Sequence, residues 1–272
     1  MNIPHRIRPT AQTLAPLVLA LLVLPAVVVS AQSSAKTASA YELMLKVYER
    51  KQPVDMAAEL KMTLIDSRGR ERARELKQIS ATFKGTDKKI MEFQSPADVR
   101  GTAFMNWSYT DSSRSDDQWI FLPALKRVRR ISSDGKGDSF MGSDFSYDDL
   151  GARHPDQDTH AIISTESIKG ETCWVIESTP RVAGGTYSKT ISWVSQDRTM
   201  GLKREFYDKG GALLKVLTVL ELKEIGGYLM ITHTEMNNVQ KNHRTTMQFG
   251  SIRVDTGVKD EVFTERALMK GL

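Results

Sequence analysis

The side chains best equipped for chemistry in this chain are His154, Asp156, Asp158 and His160, all within the stretch HPDQDTH, together with His233, His243 and a single cysteine, Cys173. A metal centre or a general base would draw on such groups. The four histidines, however, form neither HxH nor HExxH, and one cysteine cannot make a thiolate cluster. HPDQDTH has the composition of a turn, and Asp144, Asp148 and Asp149 lack the ligand order of a calcium loop. The sequence contains no nucleophile elbow, catalytic triad or phosphate loop. We therefore expect no catalytic residue, no metal and no cofactor. Cys173, between Thr172 and Trp174 in a strand-like run, reads as a small buried apolar residue.

A different chemistry, anion recognition, is offered by Lys126, Arg127, Arg129 and Arg130, four cations in five positions. On a strand, Lys126, Val128 and Arg130 would face one way and Arg127 and Arg129 the other. An arginine can hold a phosphate or a carboxylate through two parallel hydrogen bonds. The block is thus a candidate for meeting a lipid headgroup or an acidic partner. Asp144, Asp148 and Asp149 lie only a loop away, and structural pairing with these cations is the main expectation.

The elements that must position these residues begin after a leader. Residues 1–31 carry Arg6 and Arg8, an almost wholly apolar run from Leu14 to Val29, and the small-residue pattern Val29-Ser30-Ala31 before Gln32, the three parts of a cleaved signal peptide. Pro16 and Pro25 interrupt the run, which falls short of the roughly 20 apolar residues needed to span a bilayer. With the two leader arginines removed, the net charge of +5 falls to +3, too modest to argue for nucleic acid. Residues 32–40 read as a flexible lead-in and 41–272 as a single domain.

Within that domain, Leu43, Met44, Val47 and Tyr48 are spaced for one helix between Ala40 and Lys51. Beyond Pro53 the period changes to two. Leu60, Met62 and Leu64 share a face, a turn follows at Ser67–Arg70, and Ile79, Ala81 and Phe83 resume the alternation. Further strands are expected over 88–93, 103–109, 118–122, 161–168, 172–178, 189–194, 202–207, 213–222, 228–236 and 245–254, and a short helix or closing segment over 260–269. Sequential strands joined by short turns imply an antiparallel meander. With one convincing helix to cover it, such a sheet must close or curl, leaving space for an apolar ligand. Twelve methionines suit an adaptable lining. The candidates for that lining are Leu60, Met62, Leu64, Phe83, Met91, Phe93, Met105, Trp107, Trp119 and Phe121. Phe140, Met141 and Phe145, between Gly137 and Gly151, are candidates for a lid, or for a loop pinned onto the barrel mouth.

The run Trp119–Ile131 (WIFLPALKRVRRI), followed by Ser139–Leu150 (SFMGSDFSYDDL), closely resembles the signature of the bacterial outer-membrane lipoprotein-sorting proteins, which are similar to LolA. Gly201–Tyr207 with Asp208–Gly211, and the ending Asp260–Leu268, support the resemblance, which spans the domain. It implies a mainly β (α+β) fold: an incomplete antiparallel β-barrel of about eleven strands with helices covering its concave apolar side. It implies a periplasmic, non-enzymatic, monomeric carrier whose partners are the acyl chains of a lipid or lipoprotein, an inner-membrane exporter of the resistance–nodulation–division class and an outer-membrane acceptor. The alternative is a non-catalytic envelope scaffold for an exporter or an anionic polymer.

Overall fold

The computed structural model describes Met1 and residues 40–272. Residues 2–39, where the expected leader and lead-in fall, lie outside the described residues. The chain opens in helix α1 (40–48) and then builds β1 (Asp55–Ile65), β2 (Glu71–Phe83), β3 (Thr86–Ser95), β4 (Ala103–Tyr109), β5 (Asp117–Leu122) and β6 (Arg127–Arg130). After a long irregular segment come β7 (Asp158–Ile168), β8 (Glu171–Pro180), β9 (Lys189–Ser195), β10 (Met200–Tyr207), β11 (Leu213–Ile225), β12 (Tyr228–Asn238), β13 (His243–Val254) and helix α2 (Glu265–Lys270). Among the described residues no helix is long and apolar enough to cross a membrane.

All thirteen strands form one open antiparallel sheet in the order β6-β5-β4-β3-β2-β1-β13-β12-β11-β10-β9-β8-β7. The count corrects the expected eleven. Nor is the sheet one continuous meander. Two meanders are joined where β1 pairs with β13, and this leaves β6 and β7 as the opposite edges. The chain therefore has to travel from one edge of the sheet to the other between residues 131 and 157. It does so as a strap of short 3₁₀ turns lying on one face, here named the inner face.

Alternation assigns side chains to that face, and cross-strand register carries the assignment from strand to strand. Leu60 stands opposite Leu76 on one side and Phe249 on the other, and Met62 stands opposite Met247. These residues pack with Phe93, Phe104, Phe206 and Met236 and with Phe140, Phe145 and Leu150 of the strap. Helix α1 covers only a smaller part of the sheet, through Ala40, Leu43, Met44 and Val47 against Ile176 and Val194. Most of the inner apolar surface thus lies under irregular chain rather than under helices.

The outer face is covered differently. Residues 255–272 fold over β2–β5, where Phe263 and Leu268, 0% and 1% exposed, pack against Ala81, Ile90, Ala103 and Met105. Asp55 fastens the start of this segment. Its carboxylate accepts from Thr256 N and Oγ1 (both 2.8 Å), Gly257 N (2.8 Å) and Val258 N (3.1 Å). Burial alone would raise this carboxyl, but the hydrogen bonds from Thr256, Gly257 and Val258 outweigh it and leave the pKa below the ordinary value. Thr264 caps α2 by accepting from Ala267 N at 3.1 Å.

Candidate functional site

The ten lining candidates do not share one face. Leu60, Met62, Leu64, Met91 and Phe93 come together on the inner face. Phe83, Met105, Trp107, Trp119 and Phe121 lie under the C-terminal cover on the outer face, where Trp107 and Trp119 meet edge to face with ring centroids 5.1 Å apart. The physical reason is plain in β4. Both of its faces are covered, so Ala103, Phe104, Met105 and Asn106 are all buried and alternation in hydrophobicity disappears. Leu76, Phe104, Phe206, Met236 and Met247 are inner-face residues that reading by composition misses; their parity relative to Leu60 and Met62 is the signal that finds them.

The lid candidates occupy the face itself. Phe140, 0% exposed, sits with its ring centroid 5.7 Å from Phe93, 5.5 Å from Phe104 and 5.6 Å from Tyr147. Phe145 is buried in the same cluster and Met141 packs against it. Met141 and Gly142 have φ of 50° and 75°, left-handed backbone that costs a non-glycine residue. The turn between them points the Met141 carbonyl at Arg74, which donates to it.

Other polar side chains of the sheet hold the strap by its backbone. Lys89 Nζ donates to Leu150 O at 2.8 Å, Gln118 Nε2 to Tyr147 O at 2.8 Å and Lys215 Nζ to Asp144 O at 3.0 Å. Beneath the strap, Gln118 also donates to Asn106 Oδ1 (2.8 Å), Asn106 to Ser108 Oγ (2.8 Å), and Ser108 to Asp116 Oδ2 (2.6 Å). Burial raises the Asp116 pKa and lowers that of Lys89. A Cβ on Gly151 would stand 2.2 Å from Asp116 Oδ2, so a larger residue there would displace a carboxylate that accepts from Ser108 Oγ and Ala152 N.

The expected pairing of the strap aspartates with the basic block does not occur. Asp144 accepts from Thr245 Oγ1 (2.6 Å) and His243 Nδ1 (2.7 Å). Asp149 pairs with Lys215 and accepts from Tyr187 Oη (2.7 Å), and Asp148 accepts from Thr186 Oγ1 (3.0 Å). These partners belong to β13, at the centre of the sheet, and to β11 and the approach to β9, nearer the β7 edge and away from β6. Burial and the neighbouring Asp149 push the Tyr187 phenol up.

At the β6 edge, Arg130 pairs with Asp117 on the outer side. Register sets Arg127 opposite Leu122 and Arg129 opposite Ile120, which places both on the inner-face side. They and Lys126 are exposed, and among the described residues Arg127 and Arg129 have no carboxylate partner. The histidine stretch is structural. His160, 3% exposed, bonds Ser178 Oγ at 2.8 Å and Pro155 O at 2.9 Å, and Arg153 grips Asp158 with two nitrogens. Among the described residues no cluster of three potential metal ligands is present. Cys173 is buried, and burial raises its thiol pKa.

A thirteen-stranded open sheet with a strapped apolar face defines the class, and comparison with known proteins names the family. A family model described as "Uncharacterized protein" matches residues 85–270, and no curated protein matches the sequence. Among solved structures, a DUF1329 family protein from Desulfovibrio piger is 29% identical with a TM-score of 0.81, over 86% of this chain and 99% of that one. An outer membrane lipoprotein-sorting protein domain from Vibrio parahaemolyticus is 32% identical with a TM-score of 0.80, again over 86% and 99%. A LolA superfamily protein from Nitrosomonas europaea shares the fold at 21% identity and a TM-score of 0.65, over 85% and 99%. The chain belongs to the outer membrane lipoprotein-sorting protein family.

Proposed function

We propose that this protein is a non-catalytic periplasmic carrier that shelters acyl chains of a lipid or lipoprotein on its inner face, with the strap as the element that yields to cargo. The observation that carries the reading is the way that face is closed. Phe140, Phe145 and Leu150 fill an apolar surface, while the backbone around them is tethered by Arg74, Lys89, Gln118 and Lys215. Each methylene buried from water gains about 0.8 kcal/mol, so acyl chains that replace strap side chains make the exchange nearly balanced. A carrier must both take and release its cargo, and balance allows that. Leu60, Met62, Leu64, Met91 and Phe93 would form the floor, with Phe140, Met141 and Phe145 above it. Lys126, Arg127 and Arg129, with Arg130 on the outer side, would meet a headgroup or an acidic partner, for which an exporter of the resistance–nodulation–division class and an outer-membrane acceptor are the candidates.

The filled state of the face favours a second reading, an envelope scaffold whose core never opens. Mass spectrometry of lipid extracted from protein purified out of its native envelope separates the two. Stoichiometric acylated lipid supports the carrier. An empty protein whose strap amides exchange hydrogen only upon global unfolding would sink it.

A further inference from the structure

The inner face carries cations that an acyl-chain floor does not need. Arg74, Lys89 and Lys215 are each satisfied by a strap carbonyl, and Lys215 also by Asp149. Arg204 on β10 is different. Register places it opposite Ser192, which in turn stands opposite Ile176, so Arg204 lies between the floor of α1 and Phe206 of the strap cluster. Its Nε donates to Ser192 Oγ at 2.9 Å. Among the described residues no carboxylate lies within ion-pair distance of its guanidinium. The acids nearest in electrostatic effect are already engaged: Asp158 by Arg153, and Asp149 by Lys215 and Tyr187. Burial draws the Arg204 pKa down while Asp158 and Asp149 draw it up.

A partly buried guanidinium with no direct counter-ion is costly to keep. Its two remaining nitrogens present a planar fork suited to a phosphate or carboxylate. We infer that Arg204, positioned by Ser192, is an oxyanion subsite on the inner face that binds the phosphate of an anionic cargo lipid. The inference deepens the carrier reading and rests on it for the source of the anion. It favours a glycerophospholipid cargo over an uncharged acylated one.

The test is a titration of the full mature chain with three probes: dihexanoyl phosphatidylglycerol, dihexanoylglycerol and inorganic phosphate. Arg204→Gln and Arg204→Lys are compared with the parent, and thermal melts establish that each variant folds. The expected result is a preference of about tenfold for the phosphatidylglycerol over the diglyceride. Arg204→Gln should lose that preference while diglyceride binding stays unchanged, and Arg204→Lys should retain part of it. Equal binding of the two lipids by the parent protein overturns the inference and leaves the carrier intact, as does a preference that survives in Arg204→Gln. Arg204-dependent binding of inorganic phosphate with no binding of either lipid upholds the oxyanion subsite, makes free phosphate its source and overturns the carrier. If Arg204→Gln does not fold, a preference reduced in Arg204→Lys, with its single point charge in place of the fork, upholds the inference, and full retention overturns it.

Discussion

The two faces of this sheet are closed by chain segments of opposite construction. On the outer face, residues 255–272 bring Phe263 and Leu268 into a cluster with Ala81, Ile90, Ala103 and Met105, and Asp55 binds the start of the segment with four hydrogen bonds. On the inner face, the strap contributes aromatic bulk but little regular structure, and its carbonyls are held by Arg74, Lys89, Gln118 and Lys215. Exchanged for water, such hydrogen bonds lose about 0.5–1.5 kcal/mol where the donor is neutral, as at Gln118, and about 1.5–3 kcal/mol where it is charged. The side chains they leave behind can, moreover, be rehydrated or can bind cargo. On the proposed carrier reading, the difference assigns the outer cover to the cooperative core and makes the inner one the cover that must open locally.

The sharpest way to break this comparison is to remove one phenylalanine from each cover. Phe263→Ala should cost roughly 3–5 kcal/mol of global stability in urea melts, the usual loss for a fully buried phenylalanine. Phe140→Ala should cost distinctly less, because undocking of the strap limits the loss, and hydrogen exchange should rise at amides 139–151. Equal costs, with no selective exchange, would make the strap part of the core.

A second test addresses the tether. The side chains of Lys215 and Asp149 are each only 4% exposed, so Lys215→Met leaves an uncompensated buried carboxylate. Opening of the strap should become easier by roughly 3–5 kcal/mol, read by hydrogen exchange, and adding Asp149→Asn should recover most of it. If the single variant instead lowers global stability with no change in local exchange, the tether is not a local one.

The pH dependence should differ in sign between the faces. The Asp55 pKa lies below its ordinary 3.8. Its contribution to the outer cover is therefore present above that value and lost as pH falls through the folded-state pKa. Burial holds Asp116, under the strap, above 3.8. Its contribution is fully present below 3.8 and lost as pH rises through the raised value. Melts across the acid range should show the acid-side loss removed in Asp55→Asn and the opposite slope flattened in Asp116→Asn.

The smallest stability effect is expected at the rim. Exposed Arg127 and Arg129, replaced together by alanine, should change stability by no more than about 0.5 kcal/mol per site, yet weaken transfer to a partner or membrane. Equal loss of melting temperature and transfer would give them a structural role only.

Much of this fold was legible in the sequence. Alternation located the hairpin from Leu60 to Phe83 and the strands that follow, three- and four-residue spacing located α1, and the strand-like context of Cys173 marked it as buried. The candidate site was legible in part. Leu60, Met62 and Leu64 have one exposed and one covered face along β1, so their grouping survived. Met91 follows Ile90 in a strand buried on both sides, and Met105 follows Phe104 in another; in such runs composition does not say which residue faces which way. Arg204 lies between Lys203 and Glu205 in the strand expected over 202–207, where charge alone does not single it out; its parity with Phe206 assigns it to the inner face.

The sequence by itself determined local matters: where the chain turns, which residues in a strand share a face, and that Arg127 and Arg129 point opposite to Val128. These follow from backbone geometry within a few residues. Only the tertiary structure decided that β1 pairs with β13, that β6 and β7 become opposite edges, and that residues 131–157 must therefore cross the sheet. It sent Asp144, Asp148 and Asp149 to β11, β13 and the approach to β9 rather than to their basic neighbours. Partners in a sheet are chosen by strand order and register, which depend on residues far apart in the chain, and proximity in sequence carries no information about them.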